Sequence, residues 1–173
     1  MKITDLKKHI RDVPNFPQEG IIFKDISTLL QNKAAFKKSI DLLAHKFNKK
    51  KIEYVVGVES RGFIFSPILA YKLKAGFVPV RKPGKLPHKT LRTSYELEYG
   101  SNELEIHEDA VLSGTKVAVV DDLLATGGTA QAAVQLVEKL GGKVVAVAFL
   151  VELSFLKGRD KLKGYDVFSL IQY

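Results

Sequence analysis

The chain has no cysteine among its 173 residues. A disulfide framework is therefore excluded, and so is a metal centre built on thiolates. No apolar run approaches the ~20 residues that a membrane-spanning helix needs. Met1 opens MKITDLKKHI, which mixes charges with apolar residues and lacks the pattern of a signal peptide. These absences give the expectation of a cytoplasmic protein without a membrane partner. Several catalytic signatures are missing as well. There is no G-x-x-x-x-G-K-[ST], no G-x-G-x-x-G, no H-E-x-x-H and no G-x-S-x-G. His9, His45, His88 and His107 have no metal-ligand spacing. Acidic residues are in deficit, 19 against 27 basic ones, and the formal net charge is +8. That balance favours acidic partners such as phosphorylated small molecules or nucleic acid, although scattered lysines also read as a solvated surface.

What is present reads as one α/β domain over residues 1–173. Ile3, Leu6, Ile10 and Val13 fall on one face of an N-terminal helix that Pro14 ends. Phe36, Ile40, Leu43 and Phe47 mark a second helix, and Ala133, Leu136, Val137 and Leu140 a third, closed by Gly141-Gly142. A fourth follows Arg61 through Ile64, Ile68 and Leu69 to Leu73. Between them lie the continuous apolar runs YVVGV, FVPV, VAVV and VVAVAFLV. Continuous apolarity predicts strands covered on both faces, as in a parallel sheet with helical crossovers. The stretch from Arg81 to Val111 breaks this rhythm. TSYELEY and ELEIHED alternate around Gly100-Ser101-Asn102, which predicts a hairpin. KPGKLPHK before it is a charged loop, and residues 83–102 have the composition of a mobile lid.

The strand VAVV runs into DDLLATGGT, residues 121–129. Open α/β sheets bind ligands at the carboxyl ends of their strands. Here the two glycines let the backbone approach a ligand, the following helix start offers free N–H groups, and Thr126 and Thr129 add hydroxyls. The result is an anion cradle, yet Asp121 and Asp122 stand at its mouth. A ribose 5-phosphate reconciles the two, because its phosphate takes the amides while its vicinal hydroxyls donate to the carboxylates. A divalent cation would offset the remaining charge. The plainer alternative has Asp122 capping a turn and Asp121 facing a surface lysine.

VVDDLLATGGT resembles the phosphoribosyl diphosphate motif of the type I phosphoribosyltransferase family, and Leu123-Leu124-Ala125 resembles its adenine-specific branch. The likeness continues through FPQEGIIFKDIS, VESRGFIFSP, VPVRKPGKLP, YELEYG, LEIHEDA and FSLIQY, so it covers nearly the whole chain. It implies a mostly parallel central sheet flanked by helices, a mobile hairpin lid and a small hood formed by the N- and C-terminal segments. It implies a homodimer, and Mg²⁺ arriving with the substrate 5-phosphoribosyl 1-diphosphate (PRPP) rather than at a protein metal site. Asp121 and Asp122 would hold the ribose hydroxyls. Ala125, Thr126, Gly127, Gly128 and Thr129 would hold the 5-phosphate. Ser60, Arg61, Gly62, Arg81, Lys82, Lys85 and Tyr99 would hold the diphosphate, with Arg81 a candidate to act across a subunit interface. A cis peptide is implied at Glu59–Ser60. The backbone at Ile22 and Lys24 would read the adenine edge, with Phe23 on the ring and Leu123 and Leu153 as apolar walls.

The implied reaction is adenine plus PRPP giving AMP and diphosphate. Relatives acting on 6-oxopurines carry an acid where this chain has Ala125, so the resemblance moves proton handling to Glu98, the implied catalytic residue. From the residues alone, Glu98 is a solvent-facing position of an alternating hairpin, Lys82 and Lys85 a solvated charge run, Arg61 a surface arginine at a helix start, and Ile22 and Phe23 core. Two other functions compete: the same transfer to a 6-oxopurine, and a PRPP-sensing regulator that binds nucleic acid. The chain leaves no room for a winged helix ahead of Phe16, so no nucleic-acid partner is expected.

Overall fold

The computed structural model describes residues 3–96 and 101–173. Five strands make a wholly parallel sheet in the order β4-β3-β7-β8-β9. They are β3 (Tyr54–Val58), β4 (Gly76–Val80), β7 (Lys116–Leu124), β8 (Lys143–Glu152) and β9 (Val167–Gln172). The reason for their continuous apolarity is visible in the packing. Ala118 and Val120 of β7 enter one core with Ala148 and Leu150 of β8, whereas Val117 and Val119 enter the other with Val147 and Phe149. Alternate side chains of one strand thus serve two cores, and neither face is left polar.

Helices α3 (Lys33–Phe47) and α4 (Ser66–Leu73) cover the first face, and α5 (Gly128–Lys139) covers the second. Asn32 starts α3 by accepting the N–H groups of Ala34 and Ala35. Among the described residues, no helix is long and apolar enough to cross a membrane. The hairpin foreseen from alternation is present as β5 (Thr90–Glu96) and β6 (Ser101–His107), paired from Thr90↔His107 to Glu96↔Ser101. Its apolar side, Leu91 with Leu104 and Ile106, joins the α5 core.

Two sequence expectations need correction. The N-terminal helix is only α1 (Ile3–Lys7); Arg11–Pro14 is instead strand β1, antiparallel to β2 (Ile22–Asp25). Pro14 disfavours a helical conformation at Val13, and the strand gains cross-strand pairs from Arg11 to Asp25 and from Asp12 to Lys24. Leu6 and Ile10 are still buried, which is why the helical spacing misled. The helix after Arg61 is also broken, into a 3₁₀ turn over Arg61–Ile64 and α4. Pro67 sits in the first turn of α4, where its missing N–H costs nothing.

The β1–β2 hairpin and the chain end form the hood. Lys7 Nζ donates to the Gln172 carbonyl and lies 4.0 Å from the Tyr173 ring centroid, and Lys24 Nζ lies 4.1 Å from the same centroid. Asp25 ends β2 by accepting both the N–H and the hydroxyl of Ser27, the first residue of α2 (Ser27–Gln31). Those two bonds, aided by Arg11, lower its pKa from 3.8 to about 2. A depressed carboxyl pKa gives stability that is present above the unfolded value and lost as pH falls through the folded one. Asp25→Ala is therefore expected to cost about 1 kcal/mol at neutral pH, with the difference from wild type shrinking between pH 4 and pH 2. Urea unfolding across that range measures it, and a constant difference would contradict the assignment.

Candidate active site

At the carboxyl end of β7 the backbone meets two demands at once. Asp121 and Asp122 continue the strand, pairing beside Phe149 and its neighbours on β8, and the chain then turns sharply into α5. Gly127 makes that turn with φ +82°. A Cβ there would lie 2.3 Å from the Gly158 carbonyl oxygen, so only glycine fits both the conformation and the space. Gly158 in turn comes so near Ala125 that its own Cβ would lie 2.2 Å from the Ala125 carbonyl oxygen. The loop 125–127 is thus clasped from behind by the 3₁₀ segment over Gly158–Leu162. That segment is tied down where Arg159 makes a two-pronged bond with buried Glu152, at 2.7 and 2.8 Å.

In front of the loop lies a cleft of about 500 Å³. Its floor is Asp121, Asp122 and the stretch from Ala125 to Thr129, and its opposite wall is Glu59, Ser60, Arg61, Lys82 and Lys85. The first N–H groups of α5 have no partner within the helix and face this region with the positive end of the helix dipole. Arg61 Nε stands 2.8 Å from Asp122 Oδ2. The Asp122 N–H donates to Asp121 Oδ1 at 2.8 Å. Burial pushes both carboxyls upward, Asp121 further still because Asp122 repels it; Arg61 counteracts the rise at Asp122. Gly62 permits this closeness, since a Cβ there would sit 2.9 Å from Asp121 Oδ1. The peptide Glu59–Ser60 is cis, as the resemblance implied.

Beside the cleft is a second cavity, about 930 Å³ and mostly apolar, under the hood. Ile22, Lys24, Leu153, Phe155 and Tyr173 line it. Ala125 and Thr126 line both spaces and form their common wall. A single ligand can therefore put an anionic, hydroxyl-bearing end in one and a flat, weakly polar end in the other.

Residues 25–172 match the phosphoribosyl transferase domain model. An adenine phosphoribosyltransferase from a Thermotoga species is 59% identical over 169 residues, covering 98% of this chain and 99% of that protein. The chain belongs to the adenine phosphoribosyltransferase family. The crystal structure of the enzyme from Thermoanaerobacter pseudethanolicus superimposes with a TM-score of 0.96 at 54% identity, covering 99% of this chain and 100% of the other. The Saccharomyces cerevisiae enzyme, solved with an imino-altritol bisphosphate and adenine, gives 0.91 at 48% identity over 97% of each chain.

Against this adenine phosphoribosyltransferase framework, most residues singled out in the sequence converge. Asp121, Asp122, Ser60, Arg61, Lys82, Lys85 and the 125–129 loop share the cleft, and Ile22, Lys24 and Leu153 share the apolar cavity. Leu123 lines the polar cleft rather than the apolar cavity. Phe23 packs edge-on against Phe16 at 5.2 Å and lies under the Arg61 guanidinium at 5.3 Å, bridging hood and cleft. The Lys24 side chain pairs with Asp12 at 2.7 Å and lies over the Tyr173 ring. Arg81 is held within its own chain by Glu59. Glu98 and Tyr99 lie outside the described residues.

Sequence reasoning missed two carboxylates. Glu59 accepts from Lys85 Nζ at 2.6 Å, from Arg81 Nε at 3.1 Å and from the Lys82 N–H at 3.2 Å. Burial would raise its pKa, but these bonds prevail and hold it at about 2. Glu105, buried in β6, accepts the N–H groups of Lys85 and Leu86 and the side chains of Thr90 and Arg92. Glu105 was readable only as one more polar position of an alternating strand, and Glu59 had no signal beyond its place before Ser60.

The clasp behind the loop has a direct consequence. Gly127→Ala is expected to destabilise the fold by about 2–3 kcal/mol, through both strain and the clash with Gly158. Gly164→Ala, at φ +95° in open space, carries only the conformational penalty and should cost about 1 kcal/mol. Equal losses in chemical denaturation would contradict the clasp.

Proposed function

We propose that this chain transfers the 5-phosphoribosyl group from PRPP to adenine, giving AMP and diphosphate, as its relatives' names indicate for them. The observation that carries the reading is the shared wall at Ala125 and Thr126. It joins a cleft with paired carboxylates and an anion cradle to an apolar cavity of aromatic and aliphatic side chains. AMP bridges those two spaces, and so do adenine and PRPP side by side.

In this reading the 5-phosphate takes the amides and hydroxyls from Ala125 to Thr129, and the 2- and 3-hydroxyls donate to Asp121 and Asp122. Ser60, Arg61, Gly62, Arg81, Lys82, Lys85 and Tyr99 receive the diphosphate. Adenine lies between Ile22, Phe23, Lys24, Leu123 and Leu153. The C1–O bond to diphosphate breaks as the N9–C1 bond forms, and the proton that adenine loses passes to a proton-handling group, the role for which Glu98 is the candidate. Positive charge gathers on the ribose ring, so the contribution of the protein is alignment and a fixed field around the departing anion. Arginine suits this because its charge persists and its fork matches phosphate oxygens.

In this reading Mg²⁺ would arrive with PRPP. The carboxylates in the cleft are those of Glu59, Asp121 and Asp122; Glu59 is engaged by Arg81 and Lys85, and Asp122 by Arg61. Among the described residues no group of three or more His, Cys, Asp or Glu is placed to hold a metal. That donor set fits an ion carried on diphosphate oxygens, where it would neutralise the leaving group.

Ala125 offers the purine only a methyl group, which favours adenine over 6-oxopurines, whose recognition by an acid at this position is not available here. Glu98, delivered by the lid of residues 83–102, acts at the N7 side of the base as general acid/base or as the hydrogen-bonding group that tunes it. A homodimer completes the reading. Tyr71 and Ile68 on α4 and Phe77 on the edge strand β4 are exposed large apolar side chains suited to a subunit contact. The phosphorylated substrate fits a cytoplasmic enzyme.

The test is AMP formation from adenine and PRPP with Mg²⁺, run beside hypoxanthine and guanine. AMP from adenine alone is expected, and turnover with 6-oxopurines but not adenine would overturn the assignment. Glu98→Gln should lower kcat by about 100-fold or more while the KM for PRPP stays within about threefold. An unchanged kcat would remove Glu98 from the mechanism.

A further inference from the structure

Glu59 occupies an unusual position for an anion. It stands at the end of β3 in the wall of a cleft proposed to receive diphosphate, and it holds two of the cations meant for that diphosphate. Its side chain is only 10% exposed, whereas the side chains of Arg81 and Lys85 are 32% and 46% exposed. The carboxylate is thus the enclosed partner and the cations are the more exposed ones. Arg81 spans Nε to Oε2 and Nη2 to Oε1, at 3.1 and 3.3 Å, and its Nη1 closes the loop on the Lys85 carbonyl at 3.0 Å. Glu105 holds the backbone of the same loop independently, through the Lys85 and Leu86 N–H groups. The backbone of residues 85–86 therefore stays in place if the Lys85 head group swings away from Glu59.

We propose that Glu59 is a positioning residue that acts through Lys85 and Arg81: it stands in for the diphosphate in the ligand-free enzyme, yields these cations when diphosphate binds, and takes them back as diphosphate leaves. The proposal rests on the reading of the cleft as a PRPP site. Physically it is an exchange of one anion for another at the same cations. The internal carboxylate lowers the net gain of binding diphosphate, and lowers the barrier to its departure. It also keeps the ammonium and guanidinium groups pointed at the cleft, where freely rotating side chains would otherwise lose that orientation on each turnover. Asp121 and Asp122 do not perform this exchange, because Asp122 is paired with Arg61 and not with Arg81 or Lys85.

The test compares wild type with Glu59→Gln, titrating inorganic diphosphate with Mg²⁺ by calorimetry and measuring diphosphate as a product inhibitor. Removal of a competing ion pair is expected to tighten diphosphate binding about fivefold to tenfold, lower its inhibition constant by the same factor, and leave the KM for adenine unchanged. Glu59→Asp, which restores the charge, should move the affinity back toward wild type. A carboxylate that merely supports the loop gives the opposite sign, and diphosphate binding that is unchanged or weaker in Glu59→Gln overturns the proposal. Should that variant fail to fold, wild-type enzyme with ¹³C-methylated lysines supplies the test: diphosphate must shift the Lys85 signal, assigned through Lys85→Arg, and a static signal overturns it. If wild type binds diphosphate but forms no AMP, the proposed activity fails while the exchange at Glu59 is still measured.

Discussion

Arg61 Nε and Asp122 Oδ2, 2.8 Å apart, form the ion pair on which the arrangement of the cleft turns. The two residues come from different elements, one from the 3₁₀ turn after β3 and the other from the end of β7. Adjacent strands place them side by side, and Gly62 lets their backbones approach. Without Arg61, two neighbouring carboxylates in a buried setting would each favour a proton. With it, Asp122 keeps a counter-charge while Asp121 remains the more strongly raised of the two. The guanidinium also covers the face of Phe23 in the hood. One side chain thus ties the proposed ribose, diphosphate and base regions together.

The rest of the architecture supplies rigidity where this pair needs it and freedom elsewhere. The parallel sheet buries both faces, so the end of β7 is fixed from above and below. The 125–127 loop is pressed against Gly158, and Gly158 is anchored through Arg159 and Glu152 to the two last strands. Across the cleft, Glu59 holds the Arg81 and Lys85 side chains and the Lys82 N–H, and Glu105 holds the Lys85 and Leu86 N–H groups. Buried carboxylates recur at each of these joints. Each is paired with arginine or lysine and accepts further hydrogen bonds, the condition under which a buried charge is tolerated.

Much of this was legible in the sequence for specific reasons. Continuous β-branched runs between amphipathic helices gave the parallel sheet, and alternation around residues 100–102 gave the hairpin. DDLLATGGT gave the cleft floor, because its residue types are in conflict unless one ligand satisfies both. The N-terminal strand was not legible, since Leu6 and Ile10 are buried at helical spacing while Arg11–Pro14 pairs with Ile22–Asp25. Strand β9 places buried Ser169 among apolar neighbours, so it does not stand out as a continuous apolar run. Glu59 and Glu105 were invisible for a different reason. Their importance lies in which distant groups the fold delivers to them, and neither spacing nor composition carries that.

The central claim is that the carboxylates at the end of β7 read the ribose diol of a ligand whose phosphate rests on the adjoining loop. Calorimetric binding of ribose 5-phosphate and 2-deoxyribose 5-phosphate, to wild type and to Asp122→Asn, tests it most directly. Losing a hydroxyl donor to a buried carboxylate costs about 1–3 kcal/mol, so the deoxy sugar should bind wild type roughly 10- to 100-fold more weakly. Asp122→Asn should shrink that ratio while still binding the phosphate. Equal affinity of wild type for the two sugars would contradict the account.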